Sequence, residues 1–286
     1  LQALFRKKYI NCGGRLVSVA KPMVMGILNI TPDSFFASSR VGSMQELLVQ
    51  AEEMIKNGAS ILDVGGQSTR PGAALISAEE ELGRVIPAID ILQREFPDAL
   101  LSIDTFYAKV AQEAVAAGAS IINDISAGDA DVNMFPLLAS LKVPYIMMHK
   151  QGLPINMQDN PVYKNVLLEI IDYFANKIHQ LNGLGVADVI IDPGFGFGKT
   201  LSHNYELLQH LDRFKLFELP ILVGISRKSM IQKVLNVPAS ESLNGTSALH
   251  MIALERGASI LRVHDVKEAV ECIKLFESLV NIKEIH

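Results

Sequence analysis

Three short apolar runs end in a group that can carry charge or hydrogen-bond in both directions: Leu100 to Asp104, Ile121-Ile122-Asn123-Asp124, and Val189 to Asp192. An acid at the end of an apolar strand is costly to bury unless paired, so Asp104 and Asp192 must each meet a partner or a ligand donor. A carboxylate can accept two parallel N–H groups, which suits the edge of a nitrogenous ring, and Asn123 adds a donor and an acceptor. A single acid of this kind serves as readily as a helix cap or a structural ion pair. Three polar ends at one depth favour recognition of a ligand.

The cations lie elsewhere. Leu261-Arg262-Val263-His264-Asp265 places Arg262 and His264 two apart on a strand, hence on one face, close to the start of the last helix. That pair resembles a phosphate cradle. Ser226-Arg227-Lys228-Ser229 adds cations and hydroxyls beside it, and periodicity leaves open which of Arg227 and Lys228 faces inward. The segment Asp192-Pro193-Gly194-Phe195-Gly196-Phe197-Gly198-Lys199-Thr200 lacks the spacing of a Walker loop or a dinucleotide fingerprint. Its glycines would let the backbone approach a flat ligand with Phe197 as an apolar wall, although a flexible loop explains the same glycines. Two further loops, Asn29 to Phe35 with Asp33 and Gly65 to Gly72 with Thr69 and Arg70, are bracketed by glycine and proline. Both fit mobile loops that close over substrate.

These groups sit at the ends of eight apolar runs that alternate with helix-like segments. The runs are Met25 to Ile30, Ile61 to Asp63, Leu100 to Asp104, Ile121 to Asp124, Tyr145 to His149, Val189 to Asp192, Ile221 to Ser226 and Ile260 to His264. Uninterrupted Val, Ile and Leu read as parallel strands buried on both faces. Eight βα units predict an α/β fold, a (β/α)8 TIM barrel whose strand ends converge on one mouth. Helices are predicted at 43–57, 78–95, 107–117, 132–141, 162–181, 205–214, 241–256 and 266–279. Before the first barrel strand, Asn11-Cys12-Gly13-Gly14 predicts the turn of a β-hairpin closing the barrel bottom.

The chain has 286 residues, 49% of them hydrophobic, and a net charge of −5. That length suits one barrel, so residues 1–286 read as a single domain. No basic block predicts a nucleic-acid footprint, and no segment reaches membrane-spanning length, so neither nucleic acid nor membrane is expected as a partner. Cys12 and Cys272 lack metal-ligand spacing and read as ordinary thiols. Leu1 to Ile10 carries Arg6-Lys7-Lys8 without the apolar core of a leader, so a cytoplasmic protein is expected.

Seven of these segments in order resemble the dihydropteroate synthase family over nearly the whole chain. They are 25–35, 63–72, 102–105, 122–125, 192–199, 226–229 and 262–265. The resemblance implies a barrel that joins 6-hydroxymethyl-7,8-dihydropterin diphosphate to para-aminobenzoate and releases diphosphate. Asp104, Asn123 and Asp192 would hold the pterin ring, with Lys228 reaching it and bordering the aminobenzoate site, and Met147 supplying an apolar contact. Asn29 would coordinate Mg²⁺, the implied cofactor, while Arg262 and His264 bind diphosphate. Thr69 and Arg70 belong to the second mobile loop, and Phe197 and Ser229 help form the aminobenzoate pocket. Asp104 and Asp33 would stabilise a developing pterin cation, Lys228 and Arg262 completing the catalytic set. A homodimer is implied as well.

Two departures from the family stand out. The first loop reads Phe35-Phe36-Ala37-Ser38-Ser39 where the family commonly has Phe-Ser-Asp-Gly-Gly, and Gln67 stands where a glutamate is frequent. Two other readings compete. A pterin-dependent methyltransferase would have little need for Thr69-Arg70 or for the Arg262 and His264 pair, and a noncatalytic pterin-binding protein would bind without turnover.

Overall fold

Gly13 and Gly14 both take positive φ, 60° and 91°, a combination that L side chains resist and that two-residue hairpin turns require. They join β1 (Tyr9–Cys12) to β2 (Arg15–Ser18) in an antiparallel hairpin with Cys12 opposite Arg15. The computed structural model describes residues 7–30, 40–67, 75–152 and 161–280.

Eight parallel strands follow: β3 (Met23–Asn29), β4 (Ile61–Gly65), β5 (Leu100–Asp104), β6 (Ile121–Asp124), β7 (Tyr145–Met148), β8 (Val189–Asp192), β9 (Leu222–Val223) and β10 (Ile260–Val263). Hydrogen bonding runs β8-β7-β6-β5-β4-β3-β10-β9. A parallel bridge between Ile191 and Ile221 completes the circle. The barrel and its hairpin are as the sequence predicts. Strand β9 is shorter than the expected 221–226, because the chain turns beyond Gly224 to bond Lys228 N to the Ile225 carbonyl at 3.1 Å.

Helices fill the crossovers: α1 (Arg40–Lys56), α2 (Ala78–Glu95), α3 (Ala108–Ala116), α4 (Met134–Leu141), α5 (Val166–Gly183), α6 (Leu201–Gln209), α7 (Ser229–Leu235), α8 (Leu243–Glu255) and α9 (Val266–Val280). The helix expected at 205–214 is instead α6, begun by the Thr200/His203 capping box, followed by a 3₁₀ turn at Leu211–Phe217. Helix α7 escapes periodicity because seven residues span barely two turns. Among the described residues no helix is long and apolar enough to cross a membrane.

Side chains alternate between the barrel interior and the helix layer, and this parity organises the site. Every barrel strand contributes one residue to a bottom layer, Met25, Ile61, Leu100, Ile121, Ile146, Ile190, Leu222 and Ile260, packed on Ile10, Cys12 and Val19 of the hairpin region. Two residues further along, the interior turns polar on five of the eight strands, at Asp63, Ser102, Asn123, Asp192 and Arg262. The hairpin therefore seals an apolar floor. The chemistry is left at the opposite, carboxyl-terminal end.

Candidate active site

Asp63 organises that polar layer. It is fully buried, and its Oδ2 accepts from Asn123 Nδ2 at 3.0 Å and from Arg262 Nε at 2.6 Å. Arg262 Nη2 donates to Asp104 Oδ2 at 2.7 Å, so one guanidinium bridges two buried acids from β4 and β5. Burial works against the Arg262 charge, but the adjacent Asp63 and Asp104 hold its pKa above the ordinary value. Burial likewise pushes Asp104 up to about 7, with Arg262 opposing and Asp63, Glu81 and Asp124 adding to the rise. Because a carboxylate only accepts, Asn123 must turn its amide nitrogen to Asp63, which orients the whole amide.

Asp104, expected at the ring, and Arg262, expected at the diphosphate, belong to one ion-paired network. Asp63, to which sequence gave no role, is its hinge. Its signal was parity, since it stands two residues after the inward Ile61. One correction is Met147, which packs in the layer between barrel and helices, whereas Met148 joins Phe106, Ile125 and the partly buried Phe197 in a separate cluster. Counting in twos from the inward Ile146 places Met148, not Met147, on the interior face.

Asp192 is buried at the end of β8, its Oδ1 accepting from Gly194 N at 2.8 Å. Burial raises its pKa, opposed first by Lys228. Lys228 points inward, donating to the Phe195 carbonyl, with its Nζ 4.6 Å from the centre of the Phe197 ring. Burial lowers its pKa to about 8, against the pull of Asp192 and with help from Arg262. Arg227 faces away, forming a two-pronged pair with Asp265 at 2.8 Å for each bond and donating to the carbonyls of Ala239 and Ser240. The choice that periodicity left open is resolved by this anchor.

The interior positions of two strands carry no side chain here. A Cβ on Gly224 would sit 3.9 Å from both Arg262 Cβ and Lys228 Nζ, and one on Gly65 would sit 3.7 Å from Asn29 Oδ1 and from Asp104 Oδ2. These glycines keep the mouth hollow between the charged groups. Asn29 is exposed at the end of β3, and His264 is exposed just beyond β10, its backbone N–H donating to Ser226 Oγ. Ser229 opens α7 beside a cavity of about 280 Å³ that Lys199, Asn204, Met230 and Lys233 also line. Gln67 accepts from Ile76 N at 2.9 Å through its amide oxygen, supplying the acceptor that a carboxylate would supply there. Asp33, Thr69 and Arg70 lie outside the described residues.

Two of the glycines after β8 pack against a neighbouring loop. Gly194 has φ +72°, and a Cβ there would fall 1.9 Å from the His149 carbonyl oxygen; at Gly198 (φ +61°) it would fall 2.2 Å from that of Gln151. Both of these approaches are to the β7 exit loop. Gly194→Ala should therefore lower stability by at least about 1–3 kcal/mol from its backbone conformation alone. An unchanged urea midpoint would refute this.

Residues 25–264 match the model of the pterin binding enzymes, and the chain is 46% identical over 273 residues to the dihydropteroate synthase of Escherichia coli (strain K12), spanning 95% of this chain and 96% of that one. A crystal structure of Yersinia pestis dihydropteroate synthase with a sulfonamide drug complex superposes with a TM-score of 0.89 at 43% identity, covering 96% of this chain and 99% of that one. The Xanthomonas albilineans enzyme in complex with 7,8-dihydropteroate superposes with a TM-score of 0.84 at 32% identity, covering 96% and 99%. The fold and the polar mouth thus define a pterin-binding barrel enzyme. The chain belongs to the dihydropteroate synthase family, whose members are transferases.

Proposed function

We propose that this chain condenses 6-hydroxymethyl-7,8-dihydropterin diphosphate with para-aminobenzoate, with Asp192, Asn123 and Lys228 receiving the ring. The observation that carries this reading is the convergence of Asp104, Asn123, Asp192 and Lys228 on the mouth of a barrel of this family. Asp192 accepts ring N–H groups. Asn123, its amide nitrogen held by Asp63, turns its oxygen to the ligand as a further acceptor, and Lys228 donates to a ring acceptor. Phe197 and the cavity beside Ser229 suit the aromatic amine, and His264 with the remaining Arg262 donors suits the diphosphate.

In the reaction the bond between the pterin methylene carbon and the diphosphate oxygen breaks, and the amine nitrogen forms the new bond and sheds a proton. Charge moves onto the leaving diphosphate, where His264 and Arg262 stabilise it, while the Asp104 carboxylate offsets the charge of the electron-poor carbon. No protein nucleophile takes part.

Mg²⁺ fits this site as a substrate-borne ion. Among the described residues no three acids, histidines or cysteines are grouped to hold a metal, and Mg²⁺ typically takes one or two protein oxygens and completes its shell with phosphate and water. Asn29 would hold it, and when bound it would neutralise developing phosphate charge. A cytoplasmic homodimer completes the proposal: both cysteines are free and buried, and Leu275 and Leu279 on α9 are exposed apolar groups.

Incubation with Mg²⁺, the pterin diphosphate and para-aminobenzoate tests the reading, pteroate and diphosphate appearing together. Pterin binding without either product would refute it in favour of a noncatalytic binder. Because Lys228 must keep its proton to donate, kcat/KM should fall as pH rises through about 8. Lys228→Met should remove that alkaline limb. A limb of unchanged position in the variant would assign the titration to another group.

A further inference from the structure

Lys199 and His149 are buried titratable side chains for which the reaction has no use. Lys199 is 3% exposed, yet its ammonium meets four acceptors: His149 Nδ1 at 3.1 Å, the His149 carbonyl at 3.2 Å, the Gly194 carbonyl at 2.9 Å and the Phe197 carbonyl at 3.0 Å. Three N–H groups thus serve acceptors on two different loops, those after β7 and β8. Burial lowers the Lys199 pKa to about 7, with Asp192 opposing; as an ammonium it only donates, and a neutral His149 then accepts at Nδ1 with its proton on Nε2. Burial and the adjacent Lys199 both press it that way. The glycine contacts bring the two loops into backbone contact, and Lys199 ties them there.

The tied loop carries the groups that hold Lys228: the Phe195 carbonyl, which accepts from its Nζ, and the Phe197 ring beneath that atom. From the other side Tyr163 Oη donates to the Gly198 carbonyl at 2.9 Å. We propose that Lys199 is a positioning residue, its ammonium pinning the β8 exit loop to the β7 exit loop and so setting where Lys228 and Phe197 stand. The proposal rests on the reading of Lys228 as a ligand-contacting group. It explains why a cation is buried among carbonyls at the edge of the cavity beside Ser229.

The test is a double-mutant cycle on the full chain with Lys199→Met, Lys228→Met and both, reading KM for para-aminobenzoate against kcat, with urea melts as a folding check. Lys199→Met should raise that KM by about tenfold or more, since small displacements of positioning groups are amplified in rate and binding. kcat should change less. If Lys199 acts through Lys228, the double variant should lose little beyond Lys228→Met; independent, additive losses in a folded protein would overturn the proposal. No effect of Lys228→Met alone would instead remove the reading on which it rests. Should Lys199→Met fail to fold, Tyr163→Phe takes its place in the cycle, because it releases the same loop from the far side. Loss that overlaps with Lys228→Met supports the pin, and additive loss or none overturns it.

Discussion

Asp192→Ala is expected to yield a folded barrel that no longer retains the pterin diphosphate. The carboxylate is buried, and burial has already raised its pKa, so the free protein bears an electrostatic cost that ligand N–H groups relieve. Removing it leaves the ring donors facing an apolar methyl group. Each buried donor stranded in this way costs about 1–3 kcal/mol, and with two of them affinity should drop by at least about thirtyfold. Asp192→Asn separates this effect from damage to the fold. The amide can still accept from Gly194 N, so the loop keeps its anchor, but it turns an N–H toward the ring where an acceptor was needed. Calorimetric titration of both variants with the pterin diphosphate decides the matter. Affinity within about threefold of the parent in the asparagine variant would remove Asp192 from the ring site.

How much of this was legible beforehand depends on the range over which each feature is encoded. The strands are local: runs such as Val189 to Asp192 announce both their burial and their polar end, and the hairpin turn announces itself in Gly13-Gly14. The three strand-end groups followed directly. What sequence could not supply were partners. Nothing local says that Arg262, 199 positions after Asp63, will lie across it, so the pairing that joins the ring face to the anion face emerged only from the closed barrel. Met147 was misplaced for a different reason, since the parity needed to choose Met148 was present but depends on knowing that Ile146 points inward. The contact of the β8 loop with the β7 loop was not legible because glycine at positive φ serves a ligand and a neighbouring backbone equally well. Lys199 was overlooked within a familiar run of glycines, because a lysine in a loop is ordinarily solvated.

Arg262→Met should destabilise the folded protein by about 3–5 kcal/mol near pH 8, the typical consequence of removing one member of a buried ionic cluster. The methionine fills much of the same volume, so packing is not the main loss. Asp63 would keep Asn123 as a donor, but Asp104 would lose its countercharge while Asp63, Glu81 and Asp124 still press on it. The pH dependence follows from that. Asp104 lies at about 7 in the parent with Arg262 opposing the rise, so deleting the cation pushes it higher still. A carboxyl group whose folded-state pKa exceeds its unfolded value, about 3.9 for aspartate, binds a proton on folding within that interval. Stability then falls as pH rises across it, and the loss is complete above the folded-state value. The variant's deficit should therefore be smaller at pH 5 than at pH 8, as read from urea midpoints. A deficit equal at both, or below about 1 kcal/mol, would mean that Asp104 does not depend on Arg262. Adding Asp63→Asn and Asp104→Asn to Arg262→Met should recover much of the lost stability without restoring diphosphate binding, since removing the acids abolishes their repulsion but supplies no cation for the ligand.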